Sequence, residues 1–195
     1  MINRDFFFDQ VRNSLFGGHM QNRQVAGMTA ILDYWEDKLT SDDDRWLAYA
    51  LATTFHETAF TMQPIEEIGH GRGRPYGEPD PETGQTYYGR GFVQLTWKNN
   101  YQKLGTMLGG VDLVHHPEMA LQLDIATRIL FAGMISGVFT GKKLGDFFNP
   151  QTDDWLDART IINGHDRAGQ IAQYGHKFYA AISYKAAQAD AARQF

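Results

Sequence analysis

Residues 87–101 read YYGRGFVQLTWKNNY, and this stretch narrows the choice of fold more than any other part of the chain. Its aromatic residues are interleaved with amide and hydroxyl side chains, among them Gln94 and Thr96. Aromatic rings can stack on the C–H faces of sugars, while amides and hydroxyls supply donors and acceptors for sugar hydroxyl and acetamido groups. A phosphate-binding loop is excluded, because no Lys-Ser or Lys-Thr pair follows the Gly-Arg-Gly turn.

The same stretch also fits a structural corner, in which a short strand over residues 92–96 leads into a helix over residues 99–108. In this alternative Phe92, Leu95 and Trp97 lie in the core. Both interpretations hold together if Gln94 and Thr96 lie on the face opposite to that core, because successive side chains of a strand point to opposite faces.

On both sides of this stretch, apolar residues recur at helical spacing. The pattern predicts a helix over residues 22–39, a second one capped by Thr40 or Ser41 that ends at Glu57 or Thr58, a third from Pro117 to Val138, and two more over residues 153–162 and 168–189. Residues 59–90 contain four of the six prolines and predict one long irregular loop. We therefore expect a mainly α-helical domain in which this loop carries the chemistry.

Composition restricts the function classes further. The 195 residues suit a single domain over 1–195, with 43% hydrophobic and 21% charged residues. The net charge of -5 without a basic patch argues against nucleic-acid binding. Because the chain has no cysteine, disulfides and thiolate metal sites are excluded. No uncharged apolar run approaches the length of a membrane span, and no signal-peptide pattern is seen, so we expect no integral membrane association.

The pair His56-Glu57 invites comparison with the zinc motif His-Glu-x-x-His. Phe60 stands where that motif requires its second histidine, so we expect neither a bound metal nor any other cofactor. Glu57 instead suits a general acid. The C-terminal end of its helix and partial burial both favour the protonated form that an acid needs. The alternative is a surface glutamate that merely ends a helix.

A second carboxylate follows in the loop, where Glu66 and Glu67 lie nine and ten residues after Glu57. Two carboxylates from different elements can face each other across a cleft. Glycoside hydrolysis needs that arrangement, with one group protonating the leaving oxygen and the other activating water. Acidic pairs are also common on surfaces, so the spacing alone leaves this role open.

Several separated motifs, in the same order, resemble glycoside hydrolase family 19, which includes chitinases and lysozyme-like endolysins. They are His56-Glu57-Thr58, the stretch at residues 88–97 with Asn100-Tyr101, and Ile161-Ile162-Asn163-Gly164. The similar region covers about residues 47–179. Residues 62–67 (MQPIEE) and 71–77 (GRGRPYG), together with the lack of cysteine, resemble the endolysin branch of phages and bacteria.

The resemblance implies a bilobal, lysozyme-like α-helical domain with a long active-site loop and at most a small β-hairpin. It implies hydrolysis of β-1,4 bonds with inversion, for which the two carboxyl groups would lie about 6.5–9.5 Å apart. Glu57 matches the general acid, and Glu67, or alternatively Glu66, matches the base. The positions that match substrate-binding residues, or lie within the same motif, are Gln94, Thr96, Asn100, Asn163, Tyr88 and Arg90. A nearby arginine, Arg72, Arg74 or Arg90, is expected to keep the base ionised.

These observations predict an endolysin that cleaves the glycan strands of peptidoglycan. Such a protein would wait in the host cytoplasm and reach the cell wall after the membrane is permeabilised, as a monomer with no separate wall-binding module. One alternative is a chitinase that acts on N-acetylglucosamine polymers. The other, from a different class, is a glycan-binding module without catalytic activity, against which the joint presence of Glu57, Gln94, Thr96 and Asn163 argues.

Overall fold

The computed structural model describes residues 1–39 and 43–185, and in these residues helices dominate. The α-helices are α1 (Arg4–Leu15), α2 (Asn22–Lys38), α3 (Asp44–Glu57), α4 (Lys98–Met107), α5 (Leu123–Ser136), α6 (Leu144–Phe147) and α7 (Ala168–Ala181). The strands are two residues long each and form two antiparallel pairs. They are β1 (Ile65–Glu66) with β2 (Arg90–Gly91), and β3 (Phe148–Asn149) with β4 (Thr152–Asp153). The predicted mainly α-helical fold is confirmed.

Helix α3 is the centre of the core. Residues 47–55 are all buried, which is the pattern of a helix enclosed on every side. It packs most extensively against α7, and also against α2 and α5. Gly175 permits α7 to pack closely against Trp155, because a Cβ atom there would lie 2.7 Å from the Trp155 ring. A rigid, fully packed helix therefore carries Glu57 at its C-terminal end.

Helix α3 ends at Glu57, as the sequence predicted. The Thr58 hydroxyl donates to the Thr54 carbonyl at 2.7 Å, so this end of the helix is closed by a side chain. Ala59, Phe60 and Met62 all have positive φ, and the chain turns sharply away. The Thr58 hydroxyl also accepts the Met62 N–H at 3.1 Å, which joins this turn to the helix end.

The long irregular loop over residues 59–90 is confirmed. A segment near the start of the loop pairs with residues at its end, Ile65 with Gly91 and Glu66 with Arg90. A single 3₁₀ turn, Pro75–Gly77, interrupts it. The Tyr87 N–H donates to the Tyr76 carbonyl at 2.9 Å, so the tip of the loop folds back onto the stretch that carries Gln94 and Thr96.

Three predicted elements are wrong. Residues 92–96 form a turn rather than a strand, because the backbone reverses at Gln94, whose φ is 54°. The helix expected from Pro117 to Val138 is a 3₁₀ segment, Pro117–Leu121, followed by α5, since Gln122 between them is extended. Residues 153–162 hold strand β4 and the 3₁₀ helix Asp157–Ile161 instead of an α-helix.

The start of α3 and the end of α7 are set by the residues next to them. Thr40 and Ser41, the predicted caps of α3, lie outside the described residues, and the Asp43 side chain accepts the Arg45 N–H at 3.1 Å as the N-cap. Helix α7 ends at Ala181 because Ile182 is extended, and the predicted continuation beyond residue 185 lies outside the described residues. Among the helices of residues 1–39 and 43–185, none combines the length and apolarity that crossing a bilayer requires.

Candidate active site

A cleft of about 430 Å³ brings most of the predicted site residues together. One part of its lining comes from the end of α3 and from the segment before α7, and another from the long loop and the start of α4. The residues that line it are Glu57, Glu67, Tyr76, Gly89, Val93, Gln94, Thr96, Trp97, Asn100, Phe139, Ile162 and Asn163. The cleft thus contains two carboxylates and several amide groups beside exposed aromatic surface.

Glu57 is held by an ion pair that the sequence did not predict. The Arg159 guanidinium donates from Nη1 to Glu57 Oε1 at 2.6 Å, and the Arg159 and Glu57 side chains are only 4% and 16% exposed, respectively. Arg159 is itself fixed, because its Nε donates to the Asp166 carbonyl at 3.1 Å. A buried cation next to a carboxylate stabilises the charged form, so it opposes the effects of the helix end and of burial.

His56, the residue before Glu57, has a different surrounding. Burial lowers the pKa of its imidazole below the ordinary value, with a smaller opposing influence from Glu57. The imidazole is therefore neutral near pH 7. Within residues 1–39 and 43–185, no group of three or more His, Cys, Asp or Glu side chains converges as a set of metal ligands.

The structure separates the two neighbouring glutamates of the loop. Glu67 lines the cleft, where its Oε1 accepts the Tyr76 hydroxyl at 3.1 Å and its Oε2 accepts the Gly89 N–H at 3.0 Å. Glu66 is on the other side of the β1 backbone and accepts the Tyr88 hydroxyl at 2.7 Å. Of the two glutamates, only Glu67 is among the residues that line the cleft.

Tyr88 and Arg90 are not among the residues that line the cleft. The Arg90 guanidinium stacks 3.6 Å from the centre of the Tyr88 ring and donates to the Thr86 carbonyl at 3.0 Å. Both residues are buried, at 8% and 5% exposure, and their contact with substrate stays a prediction. The nearest carboxylate to Arg90 Nε is Glu66 at 3.9 Å, so this arginine does not hold Glu67, as had been one expectation.

Gln94, Thr96 and Asn100 form a connected row along the cleft. The Gln94 amide donates to the Ile65 carbonyl at 3.2 Å, the Thr96 hydroxyl to the Gln94 carbonyl at 2.8 Å, and the Asn100 amide to the Thr96 carbonyl at 2.9 Å. The absence of a side chain at Gly89 makes room for this row, since a Cβ there would lie 2.9 Å from Gln94 Oε1. The predicted orientation of Gln94 and Thr96 away from the core is confirmed.

Asn163 contributes a further amide group from a segment far along the chain. It lines the same cleft, together with Phe139 and Ile162. Its side-chain oxygen accepts the Gly164 N–H at 2.9 Å, which orients the amide. Asn163 had been expected only from the resemblance, because nothing in the local sequence relates it to residues 87–101.

The structure adds Trp97 and Tyr76 to the site. Trp97, which the structural alternative had placed in the core with Phe92 and Leu95, is 50% exposed and lines the cleft. Its φ of 76° turns the side chain outward, and this conformation is unusual for a large residue. The Tyr76 ring packs edge-on against it at 5.0 Å. The Pro-Tyr-Gly turn was the only local signal for Tyr76.

Comparison with known proteins supports the fold. No family model matches the chain. A crystal structure of a bacterial family 19 chitinase superposes with a TM-score of 0.56, at 20% identity and over 94% of this chain and 95% of that one. The chain therefore has the fold of the family 19 chitinases.

Two curated relatives match part of the sequence. Chitinase 3 of Oryza sativa subsp. japonica is 35% identical in an alignment 113 residues long that covers 49% of this chain and 34% of that protein. Inactive chitinase-like protein 1 of Hevea brasiliensis is 32% identical in an alignment 105 residues long that covers 51% of this chain and 31% of that protein. The chain thus spans about a third of the length of these relatives. The first is named as a chitinase, and the second is named as an inactive chitinase-like protein.

Proposed function

Since the chain has the fold of the family 19 chitinases, we propose that it is a glycoside hydrolase that cleaves β-1,4 bonds between N-acetylated sugars, with inversion. The observation that carries this proposal is the presence of two carboxylates, Glu57 and Glu67, in one cleft with Gln94, Thr96 and Asn100. The carboxylates come from different elements, as an acid and a base that act on the two faces of a sugar must.

In the proposed reaction, Glu57 takes up a proton from solvent before each turnover and protonates the glycosidic oxygen as the bond to the anomeric carbon breaks. Arg159 contacts Oε1, so the proton that is transferred belongs on Oε2. A neutral carboxyl group still accepts the hydrogen bond from Arg159, and the carboxylate that forms afterwards is stabilised by the guanidinium. Arg159 therefore lowers the energy of the state in which the acid has given up its proton.

Glu67 acts as the base in this proposal. It takes a proton from water, which attacks the anomeric carbon from the opposite side. Each of its oxygens accepts one hydrogen bond from the protein, which leaves a further lone pair on each for water. Gln94, Asn100 and Asn163 hold sugar hydroxyl and acetamido groups, and Trp97 offers a ring face to a pyranose.

We further propose that the substrate is peptidoglycan and that the protein is an endolysin. Residues 62–67 and 71–77, with their resemblance to the endolysin branch, support this choice. In this proposal the protein is monomeric, stays in the host cytoplasm before lysis and reaches the cell wall once the membrane is permeabilised. Chitin is the second candidate substrate, because the rice relative is named as a chitinase.

The test is loss of turbidity of Gram-negative cells whose outer membrane is permeabilised, with colloidal chitin as a parallel substrate. Wild type should clear the cells, Glu57→Gln should not, and both should bind the wall. Clearing by Glu57→Gln would remove Glu57 from the mechanism. Hydrolysis of chitin alone would favour the second candidate, and wall binding without hydrolysis of either substrate would favour a binding module.

The base is assigned by the matched pair Glu67→Gln and Glu66→Gln. We expect hydrolysis to be lost in the first variant and retained in the second, because only Glu67 lines the cleft. The opposite result would assign the base to Glu66. Glu118→Gln is the control for a glutamate replaced elsewhere, since its side chain is 62% exposed and lies outside the cleft.

A further inference from the structure

We infer that Tyr76 is a positioning residue that holds the base Glu67 in its active orientation. This inference rests on the proposed function, in which Glu67 is the base. The Tyr76 hydroxyl donates to Oε1 and the Gly89 N–H donates to Oε2, so the carboxylate is held at both oxygens. Of these two donors, only the Tyr76 hydroxyl belongs to a side chain. A substitution of Tyr76 can therefore remove its hydrogen bond and leave the backbone donor in place.

The tip of the loop is built closely around Tyr76. A Cβ atom on Gly71 would lie 2.8 Å from the Tyr76 ring, and Gly71 has a φ of 70° that suits glycine. A Cβ atom on Gly77 would lie 2.1 Å from the Gly71 carbonyl oxygen. The Tyr76 carbonyl accepts the Tyr87 N–H at 2.9 Å, which attaches the turn to the stretch before the catalytic row. Ring and backbone of Tyr76 are thus both fixed.

The chemistry of the contact suits a base. The pKa of the Tyr76 phenol is raised above its ordinary value, first by burial and then by the hydrogen bond to Glu67, with Arg74 as a smaller opposing influence. The phenol therefore remains a proton donor throughout the neutral range. A hydrogen bond donated to a carboxylate favours its ionised form, which is the form that accepts a proton from water.

Tyr76 also connects the base to the place where a sugar would lie. Its ring edge contacts Trp97, which is half-exposed in the same cleft. The charged groups around this contact are Arg74, which acts on the Tyr76 phenol, Glu57, which lines the same cleft, and Glu66, whose carboxylate accepts the Tyr88 hydroxyl. Removal of the hydroxyl alone should leave the ring contact, and hence substrate binding, in place.

The test compares Tyr76→Phe with wild type on a soluble glycan oligomer that wild type cleaves. We expect kcat to fall about 10- to 100-fold, the range for a hydrogen bond to a charged group, while KM stays unchanged. The acid limb of the pH–rate profile should move to higher pH. Tyr179→Phe, on an exposed tyrosine of α7, is the matched control and should behave as wild type in both measurements.

A double variant shows whether Tyr76 acts through Glu67. If it does, adding Tyr76→Phe to Glu67→Gln should cause no further loss beyond that of Glu67→Gln alone. Gly71→Ala provides a second route. Its Cβ atom would lie 2.8 Å from both the Gly77 Cα and the Tyr76 ring, so it displaces the turn without removing the hydroxyl and should also lower kcat.

Several results would overturn the inference: a kcat and acid limb of Tyr76→Phe equal to wild type, full additivity with Glu67→Gln, or a rise in KM alone. If wild type cleaves no glycan, the proposed function fails first and the inference falls with it. If wild type is active and only Tyr76→Phe lacks an effect, the inference alone is wrong.

Discussion

Removal of the Arg159 side chain should destabilise this protein, because Arg159 forms a buried ion pair with Glu57. Arg159→Met removes a guanidinium that is 4% exposed and leaves the Glu57 carboxylate, at 16% exposure, without its cation. Breaking a buried ion pair by removing one partner costs about 3–5 kcal/mol, and the partial exposure of Glu57 reduces this to about 2–4 kcal/mol. The midpoint of thermal unfolding should therefore fall by about 5–15 °C.

The assay is thermal and urea unfolding followed by circular dichroism, at a pH where Glu57 is ionised in the unfolded chain. Arg12→Met is the matched control, because the ion pair of Arg12 with Asp9 has side chains that are 40% and 64% exposed. Exposed pairs of this kind contribute at most about 0.5 kcal/mol. The control should therefore unfold close to wild type.

The double variant tests the physical reason. A neutral glutamine needs no cation, so adding Glu57→Gln to Arg159→Met should restore part of the lost stability, with a coupling of at least about 1 kcal/mol. The reasoning is refuted if the two substitutions are simply additive, or if Arg159→Met unfolds within about 2 °C of the Arg12→Met control.

Three further predictions test other parts of the structure. Gly27→Ala should destabilise by about 2–4 kcal/mol or prevent folding, because its Cβ would lie 1.7 Å from the Met62 carbonyl oxygen, whereas Gly169→Ala, with its nearest atom at 4.0 Å, should be neutral in the same unfolding assay. The hydrogen bond from Lys98 lowers the pKa of Asp80 to about 2, so this carboxylate stabilises the fold above about pH 4 and ceases to do so as the pH falls toward about 2. The difference in unfolding midpoint between wild type and Asp80→Asn should accordingly vanish over that range, and a constant difference would contradict the assignment. Trp97→Ala should raise KM about tenfold, the equivalent of losing roughly 50 Å² of apolar contact with a sugar, and an unchanged KM in the glycan assay would exclude this ring as a binding surface.

Much of the framework was predictable because it depends on short-range patterns. The end of α3 at Glu57 follows from the helical spacing of apolar residues before it and from the turn residues after it. The irregular loop over residues 59–90 follows from its prolines, since proline interrupts helices and sheets. The predicted strand and the predicted long helix are wrong at residues whose backbone conformation differs from the expected one. Gln94 and Trp97 have positive φ, and Gln122 is extended.

The sequence by itself therefore determined the helical scaffold, the position of Glu57 at a helix end and the loop that follows it. Local spacing contains this information, because helix periodicity and turn chemistry act between near neighbours. The tertiary structure alone decided that Arg159, 102 residues away, pairs with Glu57, and that Tyr76 holds Glu67 while Glu66 faces Tyr88. These contacts join segments whose distance along the chain carries no periodic signal, so they follow only from the way the helices and the loop pack around α3.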